Sequence, residues 1–108
     1  VWGSGKSMRE FLYVDDLAEA IIFCIKKKIK HNYMNVGSSD YLSIKELSIL
    51  IKEIVGFKGK IIFNKKYPDG TLKRKLDTKL LKQLGWKNRI YLKKGLKLYY
   101  SEFKKRNL

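Results

Sequence analysis

The chain has 108 residues, 44% of them hydrophobic, and its 25 basic and 10 acidic residues give a net charge of +15. This length corresponds to one domain, and the hydrophobic share is ordinary for a globular fold. The longest apolar run, residues 20–25, is far shorter than the roughly 20 residues that cross a bilayer. We therefore expect neither a signal peptide nor a membrane span.

The positive charge has two explanations. A polyanionic partner such as nucleic acid or a nucleotide would account for it, and so would lysines spread over solvated faces. Only four of the basic residues are arginines, namely Arg9, Arg74, Arg89 and Arg106, although arginine is the residue that recognises bases and phosphates bidentately. We favour solvated faces and expect no nucleic-acid partner, with a basic nucleic-acid-binding module as the alternative.

The single cysteine bears on the redox compartment of the protein, and the first residue bears on whether the chain is part of a longer one. Cys24 lies inside the apolar run, so we interpret it as a small buried residue of a protein in a reducing, cytoplasmic compartment. A catalytic thiol is disfavoured there because apolar surroundings raise a thiol pKa. The chain begins at Val1 without a methionine, and we expect it to be a piece of a longer protein.

The first predicted elements are a glycine-rich loop and a strand. Gly3 and Gly5 precede an uninterrupted run from Met8 to Val14 that predicts a β-strand with Arg9 at its mouth. Asp15 is predicted to cap the following helix, and Asp16 suits its first turn. Arg9 and the loop would then lie at a strand edge, where ligand-contacting groups are often held.

A helix is predicted from Asp16 to Ile29, where apolar residues dominate. Because it is apolar on nearly every side over its first three turns, we expect neighbouring elements to bury it. His31 follows beside a run of lysines, and we expect a surface residue there rather than a catalytic one. Residues 33–37 predict a short strand closed by a glycine.

The rest of the chain predicts three more helices. Ser43 and Glu46 form the capping box of a helix that ends at Gly56. Residues 60–63 predict a strand, and residues 68–70, Pro-Asp-Gly, predict a tight turn with Pro at its first corner. A short helix over residues 77–84 precedes a last helix, whose cap Tyr91 is poor and which we expect to depend on packing.

Three short patterns resemble catalytic or nucleotide-binding motifs without the structural context those motifs need. Residues 5–7, Gly-Lys-Ser, match the end of a P-loop, which must run into a helix, whereas a strand is predicted here. Tyr41 with Lys45 and Tyr100 with Lys104 match the Tyr-x-x-x-Lys spacing of short-chain dehydrogenases. Tyr41 precedes its helix and Tyr100 lies near a lysine-rich tail, so we interpret both pairs as incidental.

Taken in order, the motifs resemble the C-terminal part of the GDP-L-fucose synthase family, which are extended short-chain dehydrogenases/reductases. The Arg-Glu-Phe and Val-Asp-Asp elements within residues 8–18 are shared by many nucleotide-sugar epimerases. Val-Trp-Gly-Ser-Gly at 1–5 and Pro-Asp-Gly-Thr at 68–71 point to the fucose synthase branch. The supporting matches are Asn-Val-Gly at 35–37, Ser-Ile-Lys-Glu-Leu at 43–47, Lys-Leu-Asp at 75–77, Leu-Gly-Trp at 84–86 and Gly-Leu at 95–96.

This resemblance implies an α/β fold, in which residues 1–108 form the C-terminal substrate-binding lobe of an extended, Rossmann-type short-chain dehydrogenase with short strands and about four helices. It implies that the full-length protein is a homodimer that converts GDP-4-keto-6-deoxy-D-mannose to GDP-L-fucose by epimerisation and NADPH-dependent reduction. NADP and the catalytic residues would belong to an upstream dinucleotide-binding domain. Another nucleotide-sugar epimerase or dehydratase is the alternative within the superfamily.

The resemblance also implies which residues of this chain contact the GDP-sugar. By motif position these are Trp2, Arg9 and Asp69, with Arg74 as a weaker candidate for a phosphate contact. Arg9 offers a planar charged fork for the diphosphate, and Trp2 offers a flat face for the base or sugar. Asp69 offers an acceptor for ribose hydroxyls or guanine N–H groups.

We expect no catalytic, cofactor-binding or metal-binding residue in this chain. The site residues also have purely structural alternatives. Trp2 would then belong to the core, Arg9 would pair with Glu10 or Asp15, and Asp69 would serve the turn alone.

Overall fold

The computed structural model describes all 108 residues as an α/β fold with three short strands and four helices. The strands are β1 (Met8–Glu10), β2 (Tyr41–Ser43) and β3 (Lys73–Arg74), and the helices are α1 (Val14–Lys26), α2 (Ile44–Val55), α3 (Lys79–Gln83) and α4 (Leu92–Asn107). The predicted fold class and number of helices are confirmed. None of the four helices has the length and apolar content to cross a bilayer.

The sheet is built around β1, which lies between β2 and β3. β1 pairs antiparallel with β2 and parallel with β3, and Arg9 is opposite Arg74 in the parallel pair. Before β1, Trp2 forms an isolated parallel bridge with Asn64. Residues 1–10 and 62–74 therefore run side by side in the same direction, and we call this pair of segments the ribbon.

The start of α1 differs from the prediction. β1 ends at Glu10, so the predicted strand from Met8 to Val14 is too long, and α1 already begins at Val14. Tyr13 is the N-cap and makes no side-chain cap bond, so the prediction of Asp15 as the cap is wrong. Asp16 is only 2% exposed, and its carboxylate accepts the backbone N–H groups of Arg89 at 3.2 Å and Ile90 at 2.8 Å. That carboxylate joins α1 to the segment before α4.

The prediction that α1 is buried on all sides is wrong for this chain. Ala20 belongs to the core with Leu81 and Trp86, and Cys24 packs against it while only partly buried. The helix also ends at Lys26 rather than at residue 29. Five apolar side chains of α1 are exposed: Val14, Leu17, Ile21, Ile22 and Ile25. One face of α1 thus packs on the core, and these five residues, the α1 outer face, are uncovered.

Local signals predicted α2 well. The Ser43 hydroxyl accepts the Glu46 backbone N–H at 3.1 Å, and the Glu46 carboxylate accepts the Ser43 backbone N–H at 2.7 Å, so the capping box is confirmed. Gly56 ends the helix in the left-handed conformation, with φ at 72°. Both signals act within a few residues, so no distant partner is needed.

Four other predictions, between residues 33 and 84, were wrong or inaccurate. Residues 33–37 and 60–63 form no regular strand, because no neighbouring segment makes a continuous ladder with them. The chain turns at residues 65–66 instead of 68–70, since Asp69 is bonded to the glycine-rich loop. The short helix is restricted to Lys79–Gln83 rather than 77–84.

α4 begins without a local cap, as the sequence predicted from Tyr91. The carboxylate of Asp40 takes that role, because it accepts the Leu92 backbone N–H at 2.9 Å. The pKa of Asp40 is raised because partial burial disfavours the charged carboxylate, and the Leu92 N–H opposes this only in part. The position of α4 therefore depends on a tertiary contact.

Candidate functional site

The four site residues predicted from the sequence lie along the ribbon. Trp2 bridges Asn64, Ser4 is hydrogen-bonded to Asp69, and Arg9 is opposite Arg74. Two segments that are far apart in sequence thus lie side by side, and the turn at residues 65–66 shifts their alignment. The ribbon brings all four predicted residues to one pair of adjacent segments.

Asp69 holds the glycine-rich loop. Its carboxylate accepts the Ser4 hydroxyl at 2.6 Å and the Ser4 backbone N–H at 2.8 Å. These bonds, the hydroxyl first, hold the pKa of Asp69 below its usual value, with a further contribution from the charge of Lys6. Gly3 has φ at 79°, and a side chain there would collide with the Asp69 carboxylate, so the loop requires glycine. Asp69 therefore shapes the loop, and its contact with a ligand stays a prediction.

Arg9 makes its hydrogen bonds to the protein through one nitrogen. Its Nη1 donates to the carbonyl oxygens of Met8 at 2.7 Å and Thr71 at 2.6 Å. None of the three ion pairs in the chain involves it, so the suggested pairing with Glu10 or Asp15 does not occur. Because an arginine carries five N–H donors, Nε and Nη2 remain free to bind an acceptor.

Arg74 adds a second arginine next to Arg9 in the sheet. It is exposed on β3, directly opposite Arg9, and it also lacks an acidic partner. Side chains of paired residues on neighbouring strands extend from the same face of a sheet. Two arginines on one face of the sheet, neither of them in an ion pair, form a suitable site for a multiply charged anion.

Trp2 is an exposed aromatic residue rather than part of the core. It is 73% exposed, and its ring stacks on that of Tyr67 with 4.3 Å between centroids and 10° between planes. Because most of the indole is exposed, its face opposite Tyr67 is open to solvent. The sequence analysis did not single out Tyr67, since no local pattern places it against Trp2.

The apolar grooves of the chain lie away from the ribbon. One of about 280 Å³ lies beneath the start of α4, and one of about 330 Å³ lies between α2 and α4. Neither is lined by any of the four predicted site residues. Trp2, Asp69 and Arg74 are exposed, so the ribbon is an open surface, and a second surface would be needed to enclose a ligand on it.

The three motif-like patterns do not form the sites they resemble. Residues 5–7 lead into β1, and the carbonyl oxygens of Gly5 and Ser7 accept backbone N–H groups at the start of α2. A phosphate loop would instead present N–H groups in front of a following helix. Tyr41 lies in β2, outside the helix that carries Lys45, and the Lys104 ammonium lies over the Tyr100 ring at 4.8 Å. No cluster of three His, Cys, Asp or Glu side chains suits a metal ion.

The chain is similar to known proteins over most of its length. Residues 1–37 match the sequence profile of the NAD dependent epimerase/dehydratase family. The chain is 46% identical over 96 residues to "Probable GDP-L-fucose synthase 1" of Oryza sativa subsp. japonica, covering 89% of this chain and 29% of the relative. It is 41% identical over 105 residues to GDP-L-fucose synthase 1 of Arabidopsis thaliana, covering 97% of this chain and 32% of the relative.

This chain matches the C-terminal part of the GDP-L-fucose synthases. The Escherichia coli K12 synthase agrees, with 40% identity over an alignment of 114 residues that covers 95% of this chain and 35% of the relative. The chain thus spans about a third of the length of the synthases it matches.

Solved structures show the same fold. A GDP-6-OMe-4-keto-L-xylo-heptose reductase from Campylobacter jejuni aligns with a TM-score of 0.89 and 39% identity, over 99% of this chain and 34% of that chain. The GDP-mannoheptose C4 reductase MlghC from the same organism, solved with NADP bound, aligns with a TM-score of 0.84 and 37% identity, over 96% of this chain and 34% of that chain. The α/β fold is therefore that of one part of short-chain dehydrogenase-type GDP-sugar enzymes, as the resemblance implied.

Proposed function

We propose that this chain is the GDP-sugar-binding C-terminal part of an NADPH-dependent enzyme that epimerises and reduces GDP-4-keto-6-deoxy-D-mannose to GDP-L-fucose. The main supporting observation is that Arg9 lies opposite Arg74 on the neighbouring strand and that neither arginine has an acidic partner. Their free N–H donors suit the two phosphates of a nucleoside diphosphate, because guanidinium groups bind phosphate bidentately. The sugar is inferred from the similarity to the plant and bacterial GDP-L-fucose synthases.

Trp2 and Asp69 complete the proposed site. The open face of the Trp2 indole would pack against the base or the sugar. The Asp69 carboxylate accepts two hydrogen bonds from Ser4. Because a carboxylate has about four lone-pair positions, it can still accept hydrogen bonds from ribose hydroxyls or guanine N–H groups. Its main contribution is to fix the loop between Trp2 and Arg9.

NADP does not fit the glycine-rich loop of this chain. A dinucleotide pyrophosphate needs a glycine-rich turn that opens a helix and presents N–H groups. Here the loop leads into β1, and the carboxylate of Asp69 lies against Gly3. That negative charge would repel a pyrophosphate. We therefore assign NADP and the catalytic residues to an N-terminal dinucleotide-binding domain of the full-length protein.

The α1 outer face supports such an arrangement. Its residues include Ile25 at 70% and Ile21 at 51% exposure, and contiguous apolar surface of this kind marks a contact with another protein surface. An N-terminal domain packed on this face would bury it and could enclose the open ribbon. By the family resemblance we expect the full-length enzyme to be a homodimer, which light scattering of the purified protein would test.

A second candidate is the reduction of a different 4-keto GDP-sugar. The Campylobacter jejuni heptose reductase at 39% identity and the GDP-L-colitose synthase of Yersinia pseudotuberculosis, 36% identical over 98 residues, support it. Both candidates need the same diphosphate-binding arginines. The arginine pair therefore does not distinguish between them.

The deciding experiment is turnover by the full-length protein with NADPH and GDP-4-keto-6-deoxy-D-mannose, followed by chromatographic identification of the product. Formation of GDP-L-fucose supports the first candidate. NADPH oxidation only with another 4-keto GDP-sugar supports the second. Absence of turnover, together with salt-sensitive binding to unrelated DNA, would contradict both and indicate a basic nucleic-acid-binding module.

A further inference from the structure

Tyr67 is an aromatic residue of the ribbon to which the proposed function gives no role. Its ring covers one face of Trp2 in a near-parallel stack, although both rings lie at the surface, with Tyr67 42% exposed. We propose that Tyr67 is a positioning residue that holds the Trp2 indole as a platform for the purine base of a nucleotide sugar. This inference rests on the proposed function, and it adds a role for Tyr67 and assigns the purine base of the ligand to Trp2.

The backbone around Asn64 places the two rings together. The Asn64 N–H donates to the Val1 carbonyl at 2.7 Å, and the Gly3 N–H donates to the Asn64 carbonyl at 2.9 Å. The same carbonyl accepts the Tyr67 N–H at 3.3 Å, which closes the turn. One residue thus fixes the segment that carries Trp2 and the turn that returns Tyr67 over it.

The stack restricts the orientation of Trp2. An exposed indole next to glycine would otherwise exchange among staggered rotamers, and binding would have to select one of them. With Tyr67 on one face, only the opposite face remains available. That face is flat, apolar and aligned with a second ring, so a planar heteroaromatic base would extend the stack to three layers.

The base suits this position better than the sugar. The reacting sugar carbons must approach catalytic groups, and we assign those groups to a domain outside these 108 residues. The base undergoes no chemistry, so this chain can hold it alone. Along the ribbon, Trp2 lies at one end and the arginine pair at the other, with Asp69 between them. This order matches a base, a ribose and a diphosphate in sequence.

The test is calorimetric binding of GDP and, separately, of mannose 1-phosphate to the full-length protein. We expect Tyr67→Ala to weaken GDP binding about 2- to 12-fold, the range for loss of an aromatic pair, and Tyr67→Phe to restore it. Steady-state kinetics should show a higher KM with kcat unchanged. Tyr33→Ala is the matched control, since Tyr33 is 87% exposed and stacks on no other ring, and it should bind GDP like the wild type.

A double-mutant cycle tests whether Tyr67 acts through Trp2. Once Trp2→Ala has removed the platform, Tyr67→Ala should have no further effect on GDP affinity. Mannose 1-phosphate should bind all variants equally, and thermal unfolding should show that each variant is folded.

Three results would overturn the inference while leaving the proposed function intact. They are unchanged GDP affinity in Tyr67→Ala, the same loss with or without Trp2, and a parallel loss of mannose 1-phosphate affinity, which would place the sugar on Trp2. Failure of the wild type to bind GDP would overturn the proposed function itself, and this inference with it.

Discussion

The carboxylate of Asp40 accepts the backbone N–H of Leu92, which lies 52 residues further along the chain, at 2.9 Å. This bond supplies the cap that the first turn of α4 lacks locally. We expect Asp40→Ala to lower the free energy of unfolding by about 0.5–2 kcal/mol, the range for loss of an N-cap. Asp40→Asn should lose less because its amide oxygen can still accept the bond.

Urea unfolding of the full-length protein and its variants measures these changes. Asp15→Ala is the control, because Asp15 is exposed in the first turn of α1 and caps nothing. An Asp40→Ala variant as stable as the control would show that α4 does not depend on this bond.

The raised pKa of Asp40 predicts a pH dependence of stability. Burial is the main cause, so the folded chain binds the Asp40 proton more tightly than the unfolded chain, whose value is 3.8. The resulting contribution to stability is complete below pH 3.8 and is lost as the pH rises through the folded-state pKa. The stability of the wild type relative to Asp40→Asn should therefore fall over this pH range. A difference that grows as the pH rises would contradict the assigned direction.

Asp69 should show the opposite dependence. Its bonds to Ser4 hold its folded pKa below 3.8, so their contribution is present above pH 3.8 and is lost as the pH falls through the folded-state value. In an NMR titration, the amide signal of Ser4 should move with an apparent pKa below 3.8. The Asp69→Asn variant lacks the titrating group, and its Ser4 signal should not follow this curve. A Ser4 transition above pH 3.8 in the wild type would contradict the stabilisation of the Asp69 carboxylate by Ser4.

Arg9 should contribute directly to substrate affinity. We expect Arg9→Ala in the full-length enzyme to weaken GDP-sugar binding by about 1.5–3 kcal/mol, the range for a hydrogen bond to a charged group. Arg9→Lys should recover only part of this, because lysine keeps the charge but lacks the planar fork. Calorimetry and KM values measure the effect, and Arg106→Ala on the exposed end of α4 is the control. Unchanged KM and kcat in Arg9→Ala would remove Arg9 from the site.

The α1 outer face allows a paired test of the domain arrangement. Ile25 and Ile62 are exposed to similar extents in this chain, 70% and 74%. If an N-terminal domain covers α1, Ile25→Ala should destabilise the full-length protein by about 2–5 kcal/mol, as a buried isoleucine does. Ile62→Ala should change its stability by less than about 0.5 kcal/mol, as surface substitutions do. Equal, small effects at both positions would mean that the α1 outer face is uncovered in the whole protein as well.

The local capping signals of α2 were predicted correctly, whereas the roles of residues with distant partners were missed. The capping box of Ser43 and Glu46 spans three residues and was predicted in full. The roles of Asp16 and Asp40 were missed because their partners lie 52 to 74 residues away. Sequence alone assigned Asp16 to the helix dipole, a local effect, although the structure uses its charge to bind distant N–H groups.

The same distinction applies to the site. Motif position predicted Trp2, Arg9, Asp69 and Arg74 as ligand contacts, which stays a prediction, and the structure places them along one ribbon. Tyr67 was missed because its stack depends on a turn at residues 65–66, two lysines with no turn signal, while the Pro-Asp-Gly signal three residues later forms no turn. A side chain such as Asp69, recruited by Ser4 from 65 residues away, can thus override local turn propensity.

The ribbon also links ligand affinity to folding. Its two segments meet only when some 65 intervening residues have closed the loop between Ser4 and Asp69, so an unfolded chain has no equivalent binding surface. A nucleotide that spans both segments therefore binds the native state alone, and at a hundred times its Kd it would add about 2.7 kcal/mol to the free energy of unfolding. The ligand would act as a reversible cross-link between two distant parts of the chain, and a rise in Tm with GDP concentration would report its occupancy before any turnover is measured.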